Sequence, residues 1–356
     1  MGGWMIPITH FIFYVFRILI SNIFVGMKIG VIGSGSWGTA LVKVLNDNGC
    51  RVVWCVRSER MAQHIRTRHH NPKYLSSVYF SDTLLDVVND PAEVYEQADA
   101  ILIAVPSAYV DEYTTPYLDV IGKGKLIISA TKGILPQHNL LLNHQLKSKI
   151  DFDIQNYIAI MGPCHAEEVA AERLSYLTFA GANEALTKEV ASFFTTPYIN
   201  TIISNDVDGV QYAAVLKNVY AIGTGIAHGL GYGDNFQSVF VANAAGEMKK
   251  FLIAANTSSS GINYSASVYL GDLLVTCYSL FSRNRSFGNM IGKGYSVEAA
   301  KLAMQMVAEG YPAAKSIHEL SISCAAHTPI ASGIYDILWE KKDAATVFAE
   351  LEKALV

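Results

Sequence analysis

The stretch that most limits what this chain can become is VIGSGSWGTA at residues 31–40, three glycines within six positions directly behind an apolar run. Glycine inside a regular element costs about 0.5–1 kcal/mol relative to alanine, so such a cluster needs a reason. Gly33, Gly35 and Gly38 fit GxGxxG between a strand over KIGVIG (28–33) and a helix from Ser36 to Asn46. In that setting Gly33 permits the tight turn, Gly35 lets backbone approach a pyrophosphate, and Gly38 lets helix and strand pack closely. The helix N-terminus then offers unpaired N–H groups and the positive end of a dipole to the phosphates. A glycine-rich turn can be purely structural. The flanking strand, the helix and a second strand at RVVWCV (51–56) favour a dinucleotide.

The same texture continues. AILIAV (100–105), LIISAT (126–131) and YIAIMG (157–162) are apolar throughout rather than alternating, as expected of strands covered on both faces. Their spacing leaves room for crossover helices, and YLTFAG (176–181) and NTIIS (200–204) add further strands. After Asn205 strand runs disappear and helical patterns take over, with long apolar helices at 206–230 and 235–255. Shorter helices are expected near 266–281, 296–308, 311–325, 328–340 and 343–355. The expectation is therefore α/β: a Rossmann-like, doubly wound, mostly parallel sheet over 27–204, followed by an all-α helical domain over 205–356. With 51% hydrophobic residues and 16% charged, both parts have material for a core.

Composition also excludes. A net charge of −4 gives no general attraction to nucleic acid. Five cysteines (Cys50, Cys55, Cys164, Cys277, Cys324), odd in number and free of any CxxC, argue against a disulfide framework and fit reduced thiols in the cytoplasm. No His/Cys/Asp set has metal-ligand spacing. Residues 1–26 form a hydrophobic extension whose segment IPITHFIFYVFRILISNIFV (6–25) has about the length of a bilayer crossing. It competes between an anchor, an uncleaved signal and sequence upstream of the true start; the last is preferred, because Met27 is followed at once by KIGVIGSG. A membrane partner is expected only if that extension is real.

The second strand bears on the cofactor. An NAD site places Asp or Glu at its end for the ribose 2′-hydroxyl. Here Arg57 stands in that place, and a guanidinium suits a 2′-phosphate, so NADP(H) is expected, with NAD(H) second through Glu59. The bland alternative is a surface arginine.

A nicotinamide enzyme acting on an alcohol or ketone needs an acid/base beside the reacting oxygen and groups that fix the substrate. Lys132 and Gly133 follow LIISAT at the carboxyl edge of the sheet, where ligands of such folds bind. Lys217 and Asn218 sit within the apolar helix 206–230, and a buried lysine needs a partner or a function. GDLLVTCYSLFSRNRSFG (271–288) gathers Asp272, Thr276, Ser282, Arg283 and Asn284 on a helix and its following loop.

LKNVYAIGTGIAHGLGYGDN, GDLLVTC, SRNRSFG, SATKG and GPCHAEEVA together resemble the bacterial-type NAD(P)-dependent glycerol-3-phosphate dehydrogenases, in order from Met27 to about Trp339. The resemblance implies interconversion of dihydroxyacetone phosphate and sn-glycerol 3-phosphate, which supplies the backbone of phospholipids. Carried over by motif, Lys217 is the catalytic acid/base, held by Asp272, with Thr276 and Asn218 orienting groups nearby. Lys132, Gly162 and Cys164 face the substrate, and Cys164 stands where Ser, Thr or Asn is usual, so a backbone contact is expected there. Ser282, Arg283 and Asn284 hold the phosphate. Cofactor contacts are Gly33, Gly35, Ser36, Trp37, Gly38, Arg57, Lys132, Ala166, Arg283, Val307 and Glu309. A homodimer is left open.

Plainer roles exist for several of these. Asp272 could cap its own helix, Arg283 and Arg285 could be a solvated loop, and His165 in GPCHAEE reads as structural. His69, His70 and His228 have no evident partner. The rival enzymes are dehydrogenases of the β-hydroxyacid or 6-phosphogluconate kind, which bind a carboxylate where this chain offers the SRN cluster. A non-catalytic dinucleotide sensor would have no use for Lys217, Lys132 and Asp272.

Overall fold

A computed structural model describes residues 27–255, 261–304 and 308–356. The N-terminal extension and Val307 lie outside the described residues, as do the expectations placed on them. Among the described residues no helix is long and apolar enough to cross a membrane.

The strands β1 (Ile29–Ile32), β2 (Val52–Cys55), β3 (Leu85–Val88), β4 (Ala100–Ile103), β5 (Leu126–Ser129), β6 (Tyr157–Met161), β7 (Ser175–Gly181) and β8 (Ile199–Ser204) form one sheet. Their order is β3-β2-β1-β4-β5-β6-β7-β8. In β1, β2, β4 and β5 every residue is buried, which is why these strands are apolar without alternation. β1 pairs in parallel with both β2 and β4, Ile29 lying opposite Val52 on one side and Ala100 on the other. The winding reverses between β1 and β4, and such a switch point opens a crevice beyond the carboxyl ends of the strands. β7 pairs antiparallel with β6, because the intervening segment holds a single short helix, Ala166–Ala170, and turns the chain back on itself. β3 falls outside the sequence expectations: LDVV is a short edge strand with an exposed Asp86.

The sheet ends at Ser204, and a helix begins at Val207 and runs to Gly229. Asp206 caps it, accepting from the Gly209 N–H at 3.1 Å. Every residue from Gly209 to Ala227 is buried, so this central helix is apolar all round. The helices Asp234–Ala254, Arg283–Gly292, Gly310–Ser323 and Pro329–Leu338 pack around it.

Two details differ from expectation. The helix over 266–281 is one wide π-helical turn, Ser267–Gly271, followed by Asp272–Tyr278. The supposed loop carrying Ser282, Arg283 and Asn284 is the start of the Arg283–Gly292 helix. That helix crosses the central one at backbone contact. A Cβ on Gly225 would fall on the Arg285 carbonyl, and one on Gly229 on the Asn289 carbonyl. In return, Cβ atoms on Gly288 and Gly292 would strike the carbonyls of Ile222 and Ile226. Two pairs of glycines four apart interlock, and no larger residue fits between the helices.

Candidate active site

A single cavity of about 630 Å³ runs from the glycine turn, past the ends of β4, β5 and β6, to the central helix and the start of the Arg283–Gly292 helix. It is lined by Gly33, Gly35, Ser36 and Trp37 at one end and by Lys217, Asn218, Ser282, Arg283 and Asn284 at the other.

At the glycine end, Gly33 has φ +129°, and a Cβ there would come within 2.5 Å of the Ala104 carbonyl. Gly38 does not line the cavity; it lets the Ser36–Asp47 helix rest on the Gly33 carbonyl. Gly35 has nothing within 4 Å of where its Cβ would stand, and the helix has no acid in its first turn, so its N–H groups face open, un-neutralised space. The Trp37 indole Nε1 is buried with no partner among the described residues, an N–H awaiting an acceptor. Arg57 is exposed at the end of β2, lines the cavity and has no carboxylate partner among the described residues. Glu59, expected to support NAD through the ribose hydroxyl, does not line the cavity and is paired at 2.8 Å with Arg66 on its own helix. Ala166 lines the middle of the cavity. Glu309 does too, its carboxylate accepting from the Ser107 N–H at 3.2 Å and hydroxyl at 2.8 Å.

At the far end Lys217, 4% exposed, donates from Nζ to Oδ1 of Asp272, 1% exposed. Asp272 is not a cap: its carboxylate is turned to the lysine from just behind the cavity wall. Burial brings the Lys217 ammonium down from 10.5 to about 8, while the Asp272 carboxylate works against that. Thr276 donates to the Asp272 carbonyl at 2.6 Å and fixes the helix turn beneath the pair. Asn218 donates to the Lys132 carbonyl at 3.2 Å and accepts from Asn284 at 3.0 Å, and Asn284 accepts from the Gly310 N–H at 2.9 Å. This amide chain ties the end of β5 to three helices around the lysine.

Lys132 Nζ lies 3.6 Å from Cys164 Sγ and 5.2 Å from the centroid of the Trp37 ring. Gly162 does not line the cavity; with φ +127° it turns the chain so that its carbonyl accepts from the Cys164 thiol at 3.0 Å. Ser282 caps the Arg283–Gly292 helix, accepting from the Arg285 N–H at 3.3 Å, and Arg283 is exposed at the cavity. His165 also lines the cavity, its Nε2 without a partner among the described residues. Residues not singled out from the sequence line it as well: Ser34 and Phe281 lie within the glycine turn and the 271–288 stretch already noted, whereas Lys73 and Tyr74 come from a loop with no linear signal.

Two-part dehydrogenases that bind a dinucleotide on the sheet and end in a lysine on a buried helix are the class this fold and cavity define. Residues 28–187 match the family model of the NAD-dependent glycerol-3-phosphate dehydrogenase N-terminus, and residues 206–349 that of its C-terminus. The chain belongs to the NAD(P)-dependent glycerol-3-phosphate dehydrogenases, an oxidoreductase family. It is similar to the glycerol-3-phosphate dehydrogenase [NAD(P)+] of Lacticaseibacillus paracasei, 34% identical over 92% of this chain and 94% of that one. The enzyme of the same name from Oceanobacillus iheyensis is 32% identical over 91% and 93%. Among solved structures, glycerol-3-phosphate dehydrogenase from Coxiella burnetii superposes with a TM-score of 0.82 at 28% identity, over 91% of this chain and 98% of that one.

Proposed function

We propose that this protein reduces dihydroxyacetone phosphate to sn-glycerol 3-phosphate, reversibly, with Lys217 as the acid/base. The observation that carries the proposal is buried Lys217, which lines the cavity that also holds the glycine turn and is paired with Asp272 just behind its wall. The dihydronicotinamide, when bound, supplies the hydride. Lys217 gives a proton from Nζ to the ketone oxygen as that carbon is reduced, and Asp272 holds the ammonium aimed and charged until then.

The chain divides near residue 204 into a dinucleotide-binding part, 27–204, and a helical substrate part, 205–356. The open N–H groups at Gly35, Ser36 and Trp37 suit a pyrophosphate, Arg57 suits a 2′-phosphate, and Lys132, Ala166, Arg283 and Glu309, which line the same cavity, would contact the cofactor elsewhere along its length. At the substrate's far end Arg283 supplies charge, while Ser282 keeps its hydroxyl proton and Asn284 a second amide hydrogen for phosphate oxygens. The product feeds phospholipid synthesis, and the five free thiols suit a reducing cytoplasm.

The test follows NADPH absorbance with dihydroxyacetone phosphate and with unphosphorylated dihydroxyacetone. The phosphorylated ketone should be turned over and the other should lose in kcat as well as KM, because binding at the remote end positions the carbonyl. Arg283→Ala should reproduce much of that deficit, and Arg283→Lys should repair it only partly. Equal kcat/KM for the two ketones in the parent would overturn the assignment.

A further inference from the structure

We infer that Lys73 is a second reader of the cofactor's 2′-phosphate, acting together with Arg57. The inference rests on the reading of Arg57 as a 2′-phosphate ligand and extends it to a segment, Asn71-Pro72-Lys73-Tyr74, that no part of that reading uses.

Asn71 is fully buried. Its side-chain N–H groups donate to the Ser34 carbonyl at 3.1 Å and the Thr39 hydroxyl at 2.9 Å, while its Oδ1 accepts from the backbone N–H of Lys73 at 3.0 Å and of Tyr74 at 3.2 Å. The turn is thereby clamped to the glycine loop. From the other side the Arg57 N–H donates to the Ser34 hydroxyl at 3.3 Å. One buried residue, Ser34, thus anchors the two segments that carry Arg57 and Lys73, and both cations line the cavity.

Neither cation has a carboxylate within ion-pair distance among the described residues, and the acid beside them in sequence, Glu59, is held by Arg66. Glu112, on the Val110–Thr114 helix, also lines the cavity and makes no ion pair with either cation among the described residues. Lys73 Nζ stands 5.5 Å from the centroid of the Tyr74 ring, so the lysine rests along an aromatic face that itself lines the cavity. A ribose with two free hydroxyls calls for a carboxylate acceptor at this place; two unpaired cations instead leave a field that a phosphate dianion would fill. NADPH gains from both, whereas NADH leaves both unpaired.

The test measures KM for NADPH and NADH in Lys73→Ala, Arg57→Ala, the double variant and Lys73→Arg, together with inhibition by 2′,5′-ADP and 5′-AMP. Lys73→Ala should raise KM for NADPH and the inhibition constant of 2′,5′-ADP about five- to tenfold, modest because the side chain is exposed. KM for NADH and inhibition by 5′-AMP should stay within about twofold of the parent on the same electrostatic ground, which also reports an intact fold. Lys73→Arg should restore most of the loss. If Arg57→Ala is selective for the phosphorylated cofactor and Lys73→Ala is not, the inference fails and the Arg57 reading stands. If both variants weaken the two cofactors equally, both fail. Selectivity at Lys73 with none at Arg57 would overturn the pairing.

Discussion

Lys217 makes a pH prediction whose sign follows from its surroundings. Burial lowers the amine to about 8, so it is protonated at neutral pH and loses its proton well before an ordinary lysine. Ketone reduction needs the protonated form: kcat/KM should be level below pH 8 and fall as pH rises through it. Alcohol oxidation needs the free amine and should rise over the same range. Asp272→Asn removes the carboxylate that opposes the downward shift, so the falling limb of reduction should move to lower pH. A limb that stays in place would take Asp272 out of the proton's control. Lys217→Met should lower turnover at least ~10²-fold while NADPH still binds, as monitored by its fluorescence. Rates within tenfold of the parent would remove Lys217 from the mechanism.

At the scale of elements, the crossing of the central and Arg283–Gly292 helices is the contact that sets the site. Gly288→Ala drives a methyl into the Ile222 carbonyl, where backbone, not a flexible side chain, must give way. Overpacking of this kind costs about 1–3 kcal/mol, which calorimetry would read as a lowered melting midpoint, and activity should fall with it because Arg283 moves. An unchanged midpoint would mean the helices part without cost. This crossing also marks the limit of what the sequence discloses. β1, β2, β4, β5 and the glycine turn are legible because burial on both faces forces unbroken apolar runs. The helix from Arg283 is not legible: RNRSFGNMIG opens on polar residues and spends two glycines on interhelical contact, so packing forms it rather than propensity. Lys217 and Asp272 could be paired through a known family pattern, yet nothing linear joins Ser34 to the Asn71–Tyr74 turn, which meets it only once the chain has folded.

Across the whole molecule, hydrogen bonds beside the cavity run from Ser107 to Glu309 and from Lys132 through Asn218 to Asn284, and one hydrophobic core continues from the sheet into the helices. They tie the ends of the strands to the helices. A dinucleotide held at the glycine turn should therefore stabilise the helical part as well. NADPH at a hundred times its dissociation constant adds about 2.7 kcal/mol to whatever unfolds with its site. One melting transition that shifts upward as a unit is the expected result. Two transitions, of which only the first moves, would show that the links do not couple the parts.

The glycine crossing has a consequence for substrate choice. The helices that carry Lys217 and Arg283 are held at a fixed spacing where main chain lies on main chain. The crossing works as a fixed caliper. On the roles proposed above for Lys217 and Arg283, a phosphorylated ketone one carbon longer than the triose should be the poorer substrate, because the backbones that carry the two cations cannot draw apart without breaking that crossing.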